Sequence, residues 1–283
     1  MRHEMMPSPG MAHPVPGPAR ALSALAIALA SLIGLVAIAL PVWRVVSEPA
    51  SASPQPFEAP LVLAALITLA IFGAFGQDVN SGLVGILFAV LGSLVAVNAS
   101  LRLLPTFLGA SPIFLLLLVG GAVFGARFGF LLGTLSLLGS AFLTAGVGPW
   151  LPYQMIAAGW VGLGAGLVPS CRRVAGRRIL CPWPLAIYGL VAGFLYGAVT
   201  NLWFWPYLDP TAGGPAGKSV DVFYRYVAFY LATSVPFDAT RGIANAVLVL
   251  ALGPAIFQAL ERLRRRLGFV WEGDLPIPQD DKT

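Results

Sequence analysis

The feature that most restricts this chain is a set of long runs without charge: Ala21–Val42, Leu61–Gly76, Leu83–Val97 and Ala244–Leu260. In water such runs would have to be hidden inside a large core. In a bilayer they are natural spanning segments, because the hydrocarbon layer needs about 20 mostly apolar residues per helix. Composition chooses between the two, since 58% of the residues are hydrophobic and only 10% charged, against roughly 25% charged in soluble domains. A transmembrane barrel would show segments of about 10 residues alternating apolar and polar, and that alternation is not visible here. Backbone amides inside lipid must then be satisfied within each segment, which leaves helices. The expected fold is an all-α polytopic membrane protein.

Local breakers divide the apolar sequence into helices predicted near 21–46, 57–77, 81–104, 111–126, 128–146, 153–171, 184–205 and 237–262, about eight transmembrane helices. Pro41 and the stretch Glu48–Pro56 close the first, Asp78 and Asn80 close the second, and Pro105 and Pro112 bracket a turn before the fourth. Gly148–Pro149, Pro182–Pro184 and Pro206–Pro210 set the later boundaries. The fourth segment, Ser111–Ala126, is short and glycine-rich, and reads either as its own helix or as the start of one long helix. Charge arbitrates. Lys and Arg gather in cytoplasmic loops, and with eight segments Arg127, the cluster Arg172, Arg173, Arg177, Arg178 and the cluster Arg262, Arg264, Arg265, Arg266 all fall on one side. Isolated Arg44, Arg102, Lys218 and Arg225 fall on the other. The expectation is a multi-pass protein of a bacterial inner membrane with both termini cytoplasmic, including tails at 1–20 and 267–283. Val222–Val235, interrupted by Arg225 and closed by Pro236, is expected as an outer lid or re-entrant helix.

Polar residues inside apolar helices are costly, so their positions point to function. On this topology Asn98, Arg102, Thr144, Gln154, Asn201, Asp238, Arg241 and Asn245 lie at or near the outer ends of their helices and form an outward-facing cup. Trp150, Tyr153, Trp160, Trp203, Phe204, Trp205, Tyr207, Tyr224, Tyr226 and Tyr230 enrich the same rim. That rim reads either as an interfacial aromatic belt or as a surface for a large, partly planar ligand. Asp238 and Arg241, three apart, suit a helical salt bridge with Asp238 favouring the helix N-terminus, or a ligand site. Asn245, one turn deeper, needs a partner from another helix or from a ligand. Gly85, Ala89, Gly92 and Ala96 recur at spacings of three and four, which lets a helix approach closely, either within the chain or from a partner subunit.

Other chemistries lack their residues. There is no G-x-x-x-x-G-K-[ST] phosphate loop, no His-Glu-x-x-His and no G-x-S-x-G elbow, and no two acids lie close enough in sequence and depth for acid/base work. The chain is therefore expected not to be an enzyme, to hydrolyse no ATP alone and to need no cofactor. Cys171 and Cys181 are too few for a metal site, and His3 and His13 sit in the tail without a set of partner carboxylates or cysteines that would make a metal site. The arginine clusters follow apolar helices, which marks them as membrane anchors rather than nucleic-acid patches. A secondary transporter of a small organic solute is the rival reading, but such proteins normally show related halves and mid-membrane ionisable residues, and neither is evident.

Gly125-Ala-Arg-Phe-Gly-Phe-Leu-Leu-Gly-Thr-Leu-Ser136, Gly146-Val-Gly-Pro-Trp150 leading to Gln154, and Gly159-Trp-Val-Gly-Leu-Gly-Ala-Gly166 carry a resemblance, supported by Asn201-Leu-Trp-Phe-Trp-Pro206 and Asp238-Ala-Thr-Arg-Gly-Ile-Ala-Asn245. Over roughly Ser81 to Arg266 the chain resembles the substrate-binding S components of energy-coupling factor (ECF) transporters. The resemblance implies a six-helix bundle at 81–266, with two additional helices at 21–80. It further implies capture of a vitamin at the outer end, with cobalamin or a precursor as the nearest likeness. Docking would be onto a transmembrane coupling protein served by two cytoplasmic ATPases, and Gly85–Ala96 matches the family's small-residue contact helix.

Overall fold

The computed structural model of the protein describes residues 17–47, 59–75, 83–174, 177–208 and 219–267. Among these are nine helices, α1 (Gly17–Ser47), α2 (Ala59–Phe75), α3 (Leu83–Leu101), α4 (Ile113–Phe124), α5 (Ala126–Leu143), α6 (Leu151–Leu167), α7 (Pro182–Leu208), α8 (Ser219–Thr233) and α9 (Val235–Arg266). Asp78, Asn80, Lys218 and the tail histidines His3 and His13 lie outside the described residues. Four segments are long and apolar enough to cross a bilayer: Ala21–Arg44 of α1, all of α5, Pro182–Pro206 of α7, and α9. Ala59–Leu69, Gly85–Leu101 and Ile113–Phe124 are shorter apolar helices. Leu25, Leu32 and Leu35 of α1, Ile187 and Leu195 of α7, and Ile243 and Val247 of α9 are all exposed. Continuous apolar surface of this kind on several helices suits lipid rather than water.

The short fourth segment is a separate helix. Gly125 takes a positive φ of 89° between α4 and α5, a conformation that glycine adopts without a Cβ clash. With 12 residues, α4 rises only about 18 Å, and its every residue is buried among α5, α6 and α9. Protein, not lipid, therefore satisfies its ends. The crossing of α5 and α6 is just as dependent on small residues, since a Cβ on Gly162 would run into the backbone of Gly129, and one on Gly129 into that of Gly162. Backbone-to-backbone approach is what maximises packing where apolar burial distinguishes little between helix and lipid.

Around Arg172–Arg178, expected as a loop, the chain instead forms an antiparallel hairpin of β1 (Cys171–Val174) and β2 (Arg177–Leu180), pairing Cys171, expected at the end of the sixth helix, with Leu180, and Val174 with Arg177. Its arginine anchors it. Arg178 donates to the carbonyls of Ala122 at 3.2 Å and Val123 at 3.3 Å, satisfying open acceptors at the C-terminal end of α4. It also pairs with Glu261 of α9 at 3.5 Å, and Glu261 accepts from Arg264 at 2.9 Å and Arg265 at 3.2 Å. Arg127, at the start of α5, donates to Ser23 of α1 at 2.9 Å. Both arginine clusters and the beginning of α1 thus share one end of the bundle, which we term the basic end.

The first two helices pack on each other and lie over α6 and α7. Trp160 of α6 donates to Ser31 at 3.0 Å, and Ile27, Ala30, Val62 and Leu66 form a cluster with Phe130, Tyr153, Ile156 and Trp203. They leave the small-residue stripe of α3 uncovered: Gly85, Ala89, Gly92 and Ala96 are all exposed, and a Cβ on Gly85 or Gly92 would meet nothing within 4 Å. Of the two readings of the stripe, packing within the described chain is therefore set aside. Beside it, Phe88, Leu91, Val95, Leu135, Leu138 and Phe142 line an apolar groove of about 310 Å³ between α3 and α5.

Candidate functional site

At the end of α9 opposite the basic clusters, two polar groups come together. The first is a pocket of about 310 Å³ between α7, α8 and α9, lined by Gly197, Thr200, Asn201, Phe204, Phe229, Thr233, Ser234, Phe237, Asp238 and Arg241. Its floor is an ion pair. Asp238, 1% exposed, accepts from Arg241 and, at 2.7 Å, from the hydroxyl of Tyr230 on α8. Arg241 also donates to the Gly193 carbonyl of α7 at 3.2 Å. Gly197 makes room for this arrangement, because a Cβ there would collide with both carboxylate oxygens. Burial, and then the hydrogen bond to Asp238, push the Tyr230 phenol well above its ordinary range, so it stays a donor at physiological pH. The Tyr226 phenol beside it, raised by burial to about 12, donates to the Ala198 carbonyl at 2.7 Å.

The second group lies where α3, α5 and α6 end at the same level. Arg102 donates to Ser140 at 2.8 Å and to Gln154 at 3.5 Å, joining three helices that sequence separation alone does not connect. One turn deeper on α3, Asn98 is fully buried, and neither its amide nitrogen nor its oxygen has a hydrogen-bond partner. An unmade buried hydrogen bond costs about 1–3 kcal/mol per group, so Asn98 is an expensive residue without a structural return. Ser136, one turn deeper than Ser140 on α5, is 2% exposed and its hydroxyl too is unpartnered. Tyr196 links the two groups: the Arg241 guanidinium lies 5.2 Å from its ring centre, and Arg102 as well as Arg241 is within electrostatic reach of its phenol. Phe114 meets the same ring edge-on at 5.1 Å. The turn between α3 and α4 closes over this end, with Gly109 at φ 82° against Phe237 and Arg241.

The other sequence-derived candidates are placed differently. Asn245 is 0% exposed and donates to the Gly189 carbonyl of α7 at 3.0 Å, while its side-chain oxygen has no partner. Trp203, expected on the rim, is buried at 4% exposure and stacks on Tyr153 at 4.4 Å under the first two helices. Trp205 is likewise buried, packed with Val222 and edge-on to Tyr226 of α8. Neither ring lines the pocket. Trp150 is exposed at the turn before α6 and donates to Gly146 at 3.3 Å, and Thr144 only bonds back to Ser140 of its own helix. The side chain of Tyr207 is outside the described residues. Tyr196, Ser140 and Thr200 were not singled out by the sequence, although each lies within five residues of one that was: Asn201 for the first and last, Thr144 for the second.

No family model matches the chain, and no curated protein or solved structure matches it either. Its functional reading rests on these residues and their arrangement.

Proposed function

We propose that this protein is the substrate-specificity subunit of an ECF-type importer, capturing a vitamin-sized organic solute at its outer end and relying on a separate coupling protein and ATPases for energy. The observation that carries the reading is the segregation of polar groups. Among the described side chains, every Asp, Glu and Arg of the apolar helices lies towards one end of the bundle or the other, and the end opposite the arginine clusters holds a pocket with Asn201, Asp238 and Arg241 beside the Asn98–Arg102–Gln154 group. A capture site needs polar handles at one mouth. An ion-driven carrier normally needs them at mid-membrane as well. The exposed stripe Gly85, Ala89, Gly92 and Ala96 supplies a surface on which a coupling protein can dock, and the two N-terminal helices leave it open. A pocket of about 310 Å³ lies at the small end of ligand sites, which favours a small vitamin over an intact corrinoid such as cobalamin.

The test is reconstitution. The purified chain in lipid nanodiscs is expected to bind one member of a panel of vitamins, and in liposomes alone to move none of it. Uptake is expected only with a coupling protein and its two ATPases supplied together with ATP. Concentrative uptake by this chain alone, driven by an ion gradient, would replace the reading by a secondary transporter.

A further inference from the structure

We infer that Arg102, with Asn98 beneath it, is the receptor for an acidic group of the captured solute, so that the substrate is a carboxylate and not its neutral amide. The inference rests on the capture reading above and adds the chemistry of the substrate to it. Arg241 is already neutralised by Asp238. Arg102 is not: its contacts are the hydroxyl of Ser140 at 2.8 Å and the amide oxygen of Gln154 at 3.5 Å, both neutral. Among the described side chains Asp238 is the one carboxylate at this end and Glu261 is bound at the basic end; the side chain of Asp221, on α8, lies outside the described residues. The described side chains of the site, Arg102, Arg241 and Asp238, therefore carry one cation more than they have anions, at the edge of an apolar bundle where charge is poorly screened.

A carboxylate is the group that answers each of these features. Its two oxygens match the forked N–H donors of a guanidinium, and such charge-assisted pairs are far stronger than the bonds Arg102 makes to Ser140 and Gln154. The Asn98 amide, 0% exposed and without a partner, lies on the same face of α3 one turn below and offers a further N–H to the same anion. The Ser136 hydroxyl, unpartnered on α5, stands one turn below Ser140 in the same way. A neutral solute would leave the charge of Arg102 unanswered.

The measurement is calorimetric titration of the full chain in phosphatidylcholine nanodiscs with acid and amide pairs: nicotinate and nicotinamide, biotin and biotinamide, cobyric acid and cobinamide. For the pair that binds, the acid is expected to bind about tenfold more tightly or better, and Arg102→Gln to bring acid and amide within about twofold while leaving the amide unchanged. Arg102→Lys should restore part of the preference, and Asn98→Ala should weaken the acid by several-fold. An equal affinity for acid and amide in the wild-type chain overturns the inference without any variant having to fold. So does an acid preference that survives Arg102→Gln, or a loss of both members together. Repeating the titration in phosphatidylglycerol nanodiscs separates solute from lipid: if Arg102→Gln changes only the competition by this lipid, the occupant is a lipid headgroup and the inference fails. Binding without acid preference leaves the capture reading standing, whereas binding of no member of the panel removes both.

Discussion

At the scale of single residues, the distinction that matters is between side chains the fold uses and side chains it leaves unanswered. Asp238, Arg241 and Tyr230 belong to the first kind. Removing one partner of a buried ion pair strands the other, at a cost of roughly 3–5 kcal/mol, so Asp238→Asn is expected to lower the melting temperature of the detergent-solubilised protein sharply. The double variant Asp238→Asn, Arg241→Gln should lose less than the sum of its parts, as residues in contact do; additive losses would show that the two do not form a pair. Trp203 belongs there as well. With its ring stacked on Tyr153 at 4.4 Å and covered by α1 and α2, Trp203→Ala is expected to cost about 3–5 kcal/mol of stability. Trp43, 69% exposed, should be worth less than about 0.5 kcal/mol in the same melting assay. Asn98 is of the second kind: it stabilises nothing among the described residues, so Asn98→Leu should hold or raise the melting temperature, and a large drop would reveal a structural partner.

Between elements, glycine and small residues serve two opposite ends, and the same substitution separates them. Gly162→Ala drives a methyl group into the backbone of Gly129, which no side-chain rotation relieves, and overpacking of this kind costs about 1–3 kcal/mol or more. Gly92→Ala adds its methyl to open space and, on helix propensity, should be neutral or stabilising by up to about 1 kcal/mol. The pair is expected to part in thermal melts, with Gly162→Ala low and Gly92→Ala at or above wild type. If the exposed stripe is where a coupling protein docks, Gly92→Ala should impair only the reconstituted uptake. This difference could not be read from the sequence, because spacings of three and four mark a small-residue face without saying what lies opposite. Apolar runs and the breakers at Pro149 and Pro182 were enough to place helices there, the turn expected at Ala126–Arg127 falls instead at Gly125, and the i,i+3 step was enough to pair Asp238 with Arg241. The hairpin was not legible: its short strands in a basic stretch are held by contacts from Arg178 to α4 and α9, which are tertiary. Nor was the burial of Trp203 and Trp205, since an aromatic residue at a helix end faces lipid or protein according to which neighbours arrive, here α1 and α8. Arg102 and Gln154 were legible as residues at one level of the membrane, but not as partners.

For the whole molecule, function depends on which end of the bundle faces the cytoplasm. Arg178 reaches Glu261, and Arg127 reaches Ser23, so the hairpin, the end of α9 and the beginning of α1 form one basic end. The pocket and the Arg102 group occupy the other end. By the positive-inside rule, the expected orientation has the basic end in the cytoplasm. On that orientation the proposed capture site would open outward, as the importer reading requires, and an acid would approach Arg102 from the external medium. In a Cys171→Ser, Cys181→Ser background, Phe107→Cys, in the exposed turn above the site, is expected to react with a membrane-impermeant maleimide added to intact cells. Arg177→Cys, exposed on the hairpin, is expected to react only after the membrane is opened. The reverse pattern would put the pocket in the cytoplasm, where it could serve release or sensing but not capture, and both the importer reading and the acid receptor built on it would then have to be abandoned.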